Sequence, residues 1–101
     1  MSLSTHVLDT ARGKPAAGVA IELRGADGGV IATTTTNDDG RAAFGELGAG
    51  EYELVFAVGD YFGERQFLDR IPVRFRIAET ASKYHVPLLV SPWAYSTYRG
   101  S

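Results

Sequence analysis

The sequence has no cysteine, only two histidines and no long apolar run. Without cysteine, the chain has no disulfide framework, thiol nucleophile or thiolate metal site. The longest apolar run covers residues 54–58, far short of the roughly 20 residues that a membrane-spanning helix needs. The first residues lack the basic and apolar regions of a secretory signal. We therefore expect no membrane partner and a cytoplasmic location, with the periplasm or a peroxisome as alternatives.

An excess of charge of one sign is also missing. Ten basic residues stand against twelve acidic ones, for a net charge of −2, and the basic residues are scattered along the chain. A nucleic-acid partner requires a clustered basic surface, so none is expected. Glycine-rich phosphate loops and dinucleotide fingerprints are absent, and neither histidine has an acidic residue at ligand spacing. The sequence therefore predicts no cofactor and no metal site.

The chain is short, with 101 residues that include 12 glycines. This length predicts one domain spanning residues 1–101. A domain of this size buries enough surface for one core and too little to enclose a deep cleft as well. If the protein is an enzyme, we expect neighbouring subunits to help form its site.

Apolar residues recur at every second position in short runs, which predicts strands. No segment has a sustained helical period, although residues 59–68 have spacing suited to a helix of about two turns. The predicted strands cover residues 3–9, 19–24, 30–36, 41–44, 51–58, 71–77, 84–91 and 94–99. About eight short strands with one short helix predict an all-β fold, a two-sheet antiparallel sandwich.

Both histidines fall on predicted strands. In the first strand, Leu3, Thr5 and Val7 face one way and His6 the other. His85 likewise lies opposite an apolar stripe on its own strand. A neutral imidazole facing a pocket is a natural general base near neutral pH. The alternative for each residue is a half-buried histidine that is hydrogen-bonded to backbone, and position on a strand alone does not decide between them.

Two further features could carry chemistry. Arg41 follows a tight turn at the head of a strand, where it is either a solvated charge or a planar donor for a carbonyl and the oxyanion that forms from it. The end of the chain is unusually rich in functional groups, since Tyr98, Arg99, Gly100 and Ser101 follow one another there. Chain ends are more often bland in composition.

Several motifs resemble the transthyretin-like family of 5-hydroxyisourate hydrolases over nearly the whole chain. They are STHVLD at 4–9, GKPA at 13–16, DGR at 39–41, GDYF at 59–62, YHVPLL at 84–89 and YRGS at 98–101. The resemblance implies a transthyretin-like fold of two four-stranded sheets and a homotetramer, a dimer of dimers with sites at the ends of a central channel. It also implies that the strands bearing His6, Arg41, His85 and the terminal motif share one sheet.

The resemblance further implies an activity in urate degradation, part of purine metabolism. The enzyme would hydrolyse 5-hydroxyisourate to 2-oxo-4-hydroxy-4-carboxy-5-ureidoimidazoline by metal-independent attack of water on a ring amide. His6, Arg41 and His85 match the catalytic residues, and we expect His85 to be the base and His6 an orienter or proton shuttle. The substrate-binding residues would be His6, Arg41, Tyr98, Arg99, Gly100 and Ser101.

Two other functions compete with the hydrolase. Transthyretin-type carriers bind a small hydrophobic ligand in the same channel, but relatives of that kind lack the two histidines and the Tyr-Arg-Gly-Ser end. A sandwich used for adhesion or as an accessory module would leave His6, His85 and the terminal motif without a reason to occur together. The sequence therefore favours the hydrolase.

Overall fold

The computed structural model describes residues 2–78 and 83–100. Within those residues the chain forms ten strand segments and one short helix. They are β1 (Ser2–Asp9), β2 (Lys14–Pro15), β3 (Ala20–Gly25), β4 (Val30–Thr35), β5 (Arg41–Glu46), β6 (Gly50–Ala57), α1 (Val58–Phe62), β7 (Arg70–Ile77), β8 (Tyr84–His85), β9 (Leu88–Val90) and β10 (Tyr95–Thr97). In the described ranges no helix has the length and apolar character needed to cross a membrane.

The strands form two sheets. One is a regular antiparallel sheet in the order β4-β3-β6-β7, which we call the meander sheet. The other, the site sheet, has β1 at its centre, with β5 and β2 along one side and β8 and β9 along the other, and β10 beyond β9. Its six segments thus occupy four strand positions. The predicted all-β sandwich of two sheets is confirmed.

The core lies between the sheets and follows the alternation of the sequence. In β1 every second side chain is buried, and Leu3 and Val7 are fully enclosed. Leu54 and Phe56 on β6 are equally inaccessible on the meander sheet. Because side chains alternate across a strand, the residues between these positions point out of the sandwich. His6 is one of them.

Apart from the short strand β2, which was not predicted, and small differences at strand ends, the structure differs from the predicted elements in two places. The expected strand at residues 84–91 is split into β8 and β9, because Pro87 has no N–H to donate to a ladder. These two segments pair with β1 in parallel, so the site sheet is mixed rather than purely antiparallel. The expected two-turn helix is limited to Val58–Phe62, since Gly63 takes a left-handed conformation (φ 74°) that ends it.

Candidate active site

The site is built across three neighbouring strands of the site sheet. Arg41 on β5 lies directly opposite His6 on β1 in the antiparallel pairing. On the other side of β1, Ser4 is the parallel-pairing partner of His85 on β8. Cross-strand neighbours project from the same face, with Cβ atoms about 4.5–5.5 Å apart when directly opposite. The fold therefore brings two histidines and an arginine, remote in sequence, onto one outward face.

His85 is held at several points. Its Nδ1 is hydrogen-bonded to Oγ of Ser4 at 2.9 Å, and its carbonyl accepts a hydrogen bond from the backbone N–H of Gly100 at 2.7 Å. A Cβ atom at residue 100 would lie 2.6 Å from Cδ2 of His85, so glycine is required there by close approach to the imidazole.

The surroundings of His85 favour its neutral form. Partial burial lowers the pKa of His85 below the ordinary value of about 6.5, and electrostatic interactions with Arg41 and His6 lower it further. A hydrogen bond from the ring to the Ser4 backbone acts in the opposite direction without reversing the shift. At neutral pH the ring is therefore uncharged and can accept a proton.

His6 is oriented by the turn that precedes β5. Its Nε2 lies 2.9 Å from the carbonyl oxygen of Asp39, and because a carbonyl only accepts, Nε2 carries the proton. The turn is fixed by Oδ1 of Asn37, which accepts from the N–H groups of Asp39 and Arg41 at 2.9 and 3.0 Å. Gly40 has a φ of 75°, and a Cβ there would come within 2.5 Å of the Val7 carbonyl oxygen.

Arg41 is exposed at the first position of β5. Within residues 2–78 and 83–100, its guanidinium forms no ion pair with a carboxylate. A shallow depression beside it is lined by Ser4, Thr5, Asn37, Arg41, Ala42 and Ala43. Its donor fork is thus available to an incoming carbonyl or oxyanion.

The terminal motif divides between two places. Gly100 contacts His85, but the guanidinium of Arg99 lies over the ring of Tyr84, 4.2 Å from its centroid, and its Nη2 donates to the Lys83 carbonyl at 3.3 Å. Tyr98 is 59% exposed and lines a groove with Arg99 next to β7 of the meander sheet. Ser101 lies outside the described residues. The structure therefore groups Gly100, and not Arg99, with His6, Arg41 and His85.

The sequence reasoning missed two contributors to this site. Ser4 contacts His85, and the carbonyl of Asp39 accepts from His6. The alternation of β1 does place Ser4 on the same face as His6, which was a usable signal. No sequence pattern predicts that a backbone carbonyl will be the hydrogen-bond partner of His6. Among the described residues, no group of three or more His, Asp or Glu side chains is arranged to hold a metal ion.

The comparisons with known proteins agree with this architecture. Residues 3–100 match the model of the HIUase/Transthyretin family. A 5-hydroxyisourate hydrolase of Mesorhizobium japonicum is 55% identical, over 98% of this chain and 91% of that protein. The structure of Klebsiella pneumoniae 5-hydroxyisourate hydrolase is 39% identical, with a TM-score of 0.89 over 99% of this chain and 98% of its own.

A solved transthyretin is nearly as similar in shape. Sea bream transthyretin in complex with thyroxine is 32% identical and superposes with a TM-score of 0.87, over 97% of this chain and 93% of that chain. The fold by itself therefore does not distinguish 5-hydroxyisourate hydrolases from transthyretins. The family match over residues 3–100 is nonetheless unambiguous: the chain belongs to the HIUase/Transthyretin family.

Proposed function

We propose that the protein hydrolyses 5-hydroxyisourate to 2-oxo-4-hydroxy-4-carboxy-5-ureidoimidazoline by attack of water on the ring amide. The observation that carries the proposal is the grouping of a neutral-favouring His85 with His6 and Arg41 on one open sheet face. Relatives at 45–55% identity that bear the name 5-hydroxyisourate hydrolase support it.

The base in this reaction is His85. Its Nδ1 is occupied by Ser4, and with the pKa of His85 lowered by burial its Nε2 can accept a proton at neutral pH. His6 is less suited to the task through Nε2, because that nitrogen already donates to Asp39. His6 then orients the water or shuttles a proton through Nδ1.

The bond changes balance without a metal or a covalent enzyme intermediate. Water adds to the C6 carbonyl as its proton passes to His85, and the carbonyl electron pair moves to oxygen. Arg41 stabilises that oxyanion. When the carbonyl re-forms, the C6–N1 bond breaks, and the imidazolium of His85 returns its proton to N1. The product carboxylic acid then loses a proton to solvent.

Substrate binding is assigned to His6, Arg41, Tyr98, Arg99, Gly100 and Ser101. Gly100 has direct support, because it contacts the imidazole of His85. Arg99 would have to leave the ring of Tyr84 to reach a substrate on the other face. Deletion of residues 98–101, or a C-terminal tag, should impair activity far more than an N-terminal tag. Equal effects of the two tags would remove the terminal motif from the site.

The proposal includes assembly as a homotetramer, a dimer of dimers. Its support is the openness of the site in one chain, where Arg41 and the His6 hydrogen bond are exposed and Tyr98 is 59% exposed. A neighbouring copy would supply the missing walls. Light scattering after size exclusion should give the mass of four 10.9 kDa chains. A monomer at micromolar concentration with full activity would contradict this part of the proposal.

The cytoplasmic location and the absence of a cofactor stay predictions from the sequence. The transthyretin-type carrier remains the alternative within the same fold, given the similarity to sea bream transthyretin. A carrier channel for an apolar ligand has little use for two imidazoles and a guanidinium at its surface. The polar site therefore favours hydrolysis.

The activity can be tested in one assay. The protein is added to 5-hydroxyisourate freshly generated from urate by urate oxidase, and the ultraviolet decay is followed against the spontaneous rate. We expect acceleration that is proportional to enzyme concentration and unaffected by a metal chelator. Decay at the spontaneous rate would contradict the proposed function, and binding of thyroxine without turnover would favour the carrier.

A further inference from the structure

Ser4 enters the mechanism above only as the group beside Nδ1 of His85, yet this direct contact with the base has a consequence for its chemistry. Its Oγ lies 2.9 Å from Nδ1 of His85, and the two residues are paired in register between β1 and β8. The β1–β5 register also shifts between Leu3 and Ser4, and such bulges often re-aim a side chain beside a site. Ser4 is therefore placed by the backbone of two strands, rather than by a mobile loop.

A hydroxyl can donate or accept, and the two options have opposite consequences for His85. If Ser4 donates to Nδ1, the neutral ring carries its proton on Nε2 and cannot take a proton there. If instead Nδ1–H donates to Ser4 Oγ, the lone pair is on Nε2. That bond also persists after Nε2 gains a proton, because Nδ1 is protonated in both forms. Only the second option suits a base that acts through Nε2.

The ring has little freedom to offer its nitrogens differently. Gly100 approaches it so closely that a Cβ there would lie 2.6 Å from Cδ2 and 3.3 Å from Cγ. The carbonyl of His85 is bonded to Gly100 as well. Among the described residues, Nε2 has no hydrogen-bond partner of its own. With the ring confined in this way, the contact at Nδ1 decides the tautomer.

We propose that Ser4 is a positioning residue, which accepts a hydrogen bond from Nδ1–H of His85 and keeps the lone pair on Nε2 for the water proton. This inference rests on the proposed function for its catalytic meaning. The tautomer itself can be measured without any substrate. The two histidines are then opposite tautomers, since His6 carries its proton on Nε2 and His85 on Nδ1.

The first test is a two-bond ¹⁵N–¹H correlation spectrum of protein labelled at histidine, recorded at about pH 8, where His85 with its lowered pKa is neutral. Because the chain has two histidines, a second spectrum of the His6→Asn variant shows which signals belong to His85. We expect the protonated nitrogen of His85 to be Nδ1 in the wild type and in Ser4→Thr, and to move predominantly to Nε2 in Ser4→Ala. A wild-type His85 protonated on Nε2 would overturn the inference, whether or not the protein is active.

The second test is kinetic and uses Ser2→Ala as the matched control, because Ser2 faces the same way on β1 without contacting His85. Ser4→Ala should lower kcat about tenfold with little change in KM, since the imidazole remains but is misdirected. Ser4→Thr should restore most of the activity, and Ser2→Ala should leave it unchanged.

The outcomes separate the two proposals. Inactive wild type with Nδ1-protonated His85 would remove the hydrolase while leaving the Ser4 contact intact. Active wild type with unchanged kcat in a folded Ser4→Ala would remove the positioning role alone. If Ser4→Ala does not fold, Ser4→Thr and the wild-type tautomer still decide, because loss of the Nδ1 proton signal in either contradicts the arrangement.

Discussion

The two sheets share one core but use their outer faces differently. On the meander sheet, several outward charges are compensated: Glu22 binds both Arg24 and Arg70 at 2.7 and 2.8 Å, and Glu53 lies 3.8 Å from Arg74. On the site sheet, the positions around β1 carry two imidazoles with neutral partners and a guanidinium that forms no ion pair with a described residue. The same alternation thus produces a solvated face on one side and a reactive face on the other.

This difference shows how a small β-sandwich acquires a chemically reactive face. Where charges are paired, the charged form is stabilised: the hydrogen bonds and charges of Arg24 and Arg70 lower the pKa of Glu22, which stays ionised. At His85 it is the charged form that is disfavoured: partial burial and the positive charge of Arg41 lower the pKa of the imidazole, which is therefore neutral and can accept a proton. Regularity differs too, since the site sheet is interrupted at Pro87 and mixed in direction.

Apart from loss of the base itself, the largest expected effect is the removal of the arginine on the reactive face. Arg41→Gln should lower kcat about 10²- to 10³-fold, because the oxyanion loses its charged donor. The matched change on the meander sheet, Arg70→Gln, breaks an ion pair and should leave turnover within about twofold. Steady-state rates of decay of 5-hydroxyisourate measure both. Equal losses would mean that the faces do not differ as described.

A smaller effect is expected from a methyl group placed against the imidazole. Gly100→Ala should reduce kcat about tenfold or more, since the added Cβ displaces the ring of His85. Gly48→Ala is the control, because a Cβ there meets no atom within 4 Å. Both variants should keep a normal circular dichroism spectrum. Full activity of Gly100→Ala would show that the ring position is not critical.

Ionisable groups on the two sheets should also affect stability in different pH ranges. The pKa of His85 is lower in the folded state than in the unfolded chain, so the unfolded state binds the extra proton first. The stability from this group is complete above about pH 6.5 and is lost as pH falls towards the folded pKa. The lowered pKa of Glu22 affects stability only near and below the ordinary glutamate value of about 4.5. Urea midpoints from pH 8 to 5 should decline in the wild type and less in His85→Asn.

The pH dependence of turnover should follow the protonation of His85. Because the base must be neutral, kcat/KM should be flat above about pH 6.5 and fall along a single acid limb below it. An acid limb centred above pH 7 would contradict the assignment of a depressed His85 pKa.

The smallest expected effect is the loss of an exposed ion pair on the meander sheet. Arg74→Ala should change the free energy of unfolding by less than about 1 kcal/mol, because its 3.8 Å contact with Glu53 is solvent-exposed. Activity should be unchanged. Thermal melts and the decay assay check both, and a large drop in activity would mean that this face takes part in the reaction.

Period-two alternation was enough to predict the class of fold, and it placed His6 and His85 outside the core stripes. It could not show that β1 and β8 are neighbours, because pairing of residues about 80 apart depends on the packing of the whole chain. The resemblance to the family supplied that juxtaposition. The break at Pro87 was readable in advance from its missing N–H, whereas the bond from His6 to the Asp39 carbonyl depends on the exact turn geometry.

The central claim is that His85 is the base on the reactive face and His6 its assistant. It is tested most directly by measuring 5-hydroxyisourate decay for His85→Asn and His6→Asn side by side at neutral pH. We expect His85→Asn to lose about 10²- to 10⁴-fold in kcat, and His6→Asn to lose much less, because Nε2 of His6 is already engaged with the Asp39 carbonyl. Substantial turnover in His85→Asn, together with its loss in His6→Asn, would contradict the account and reverse the two roles.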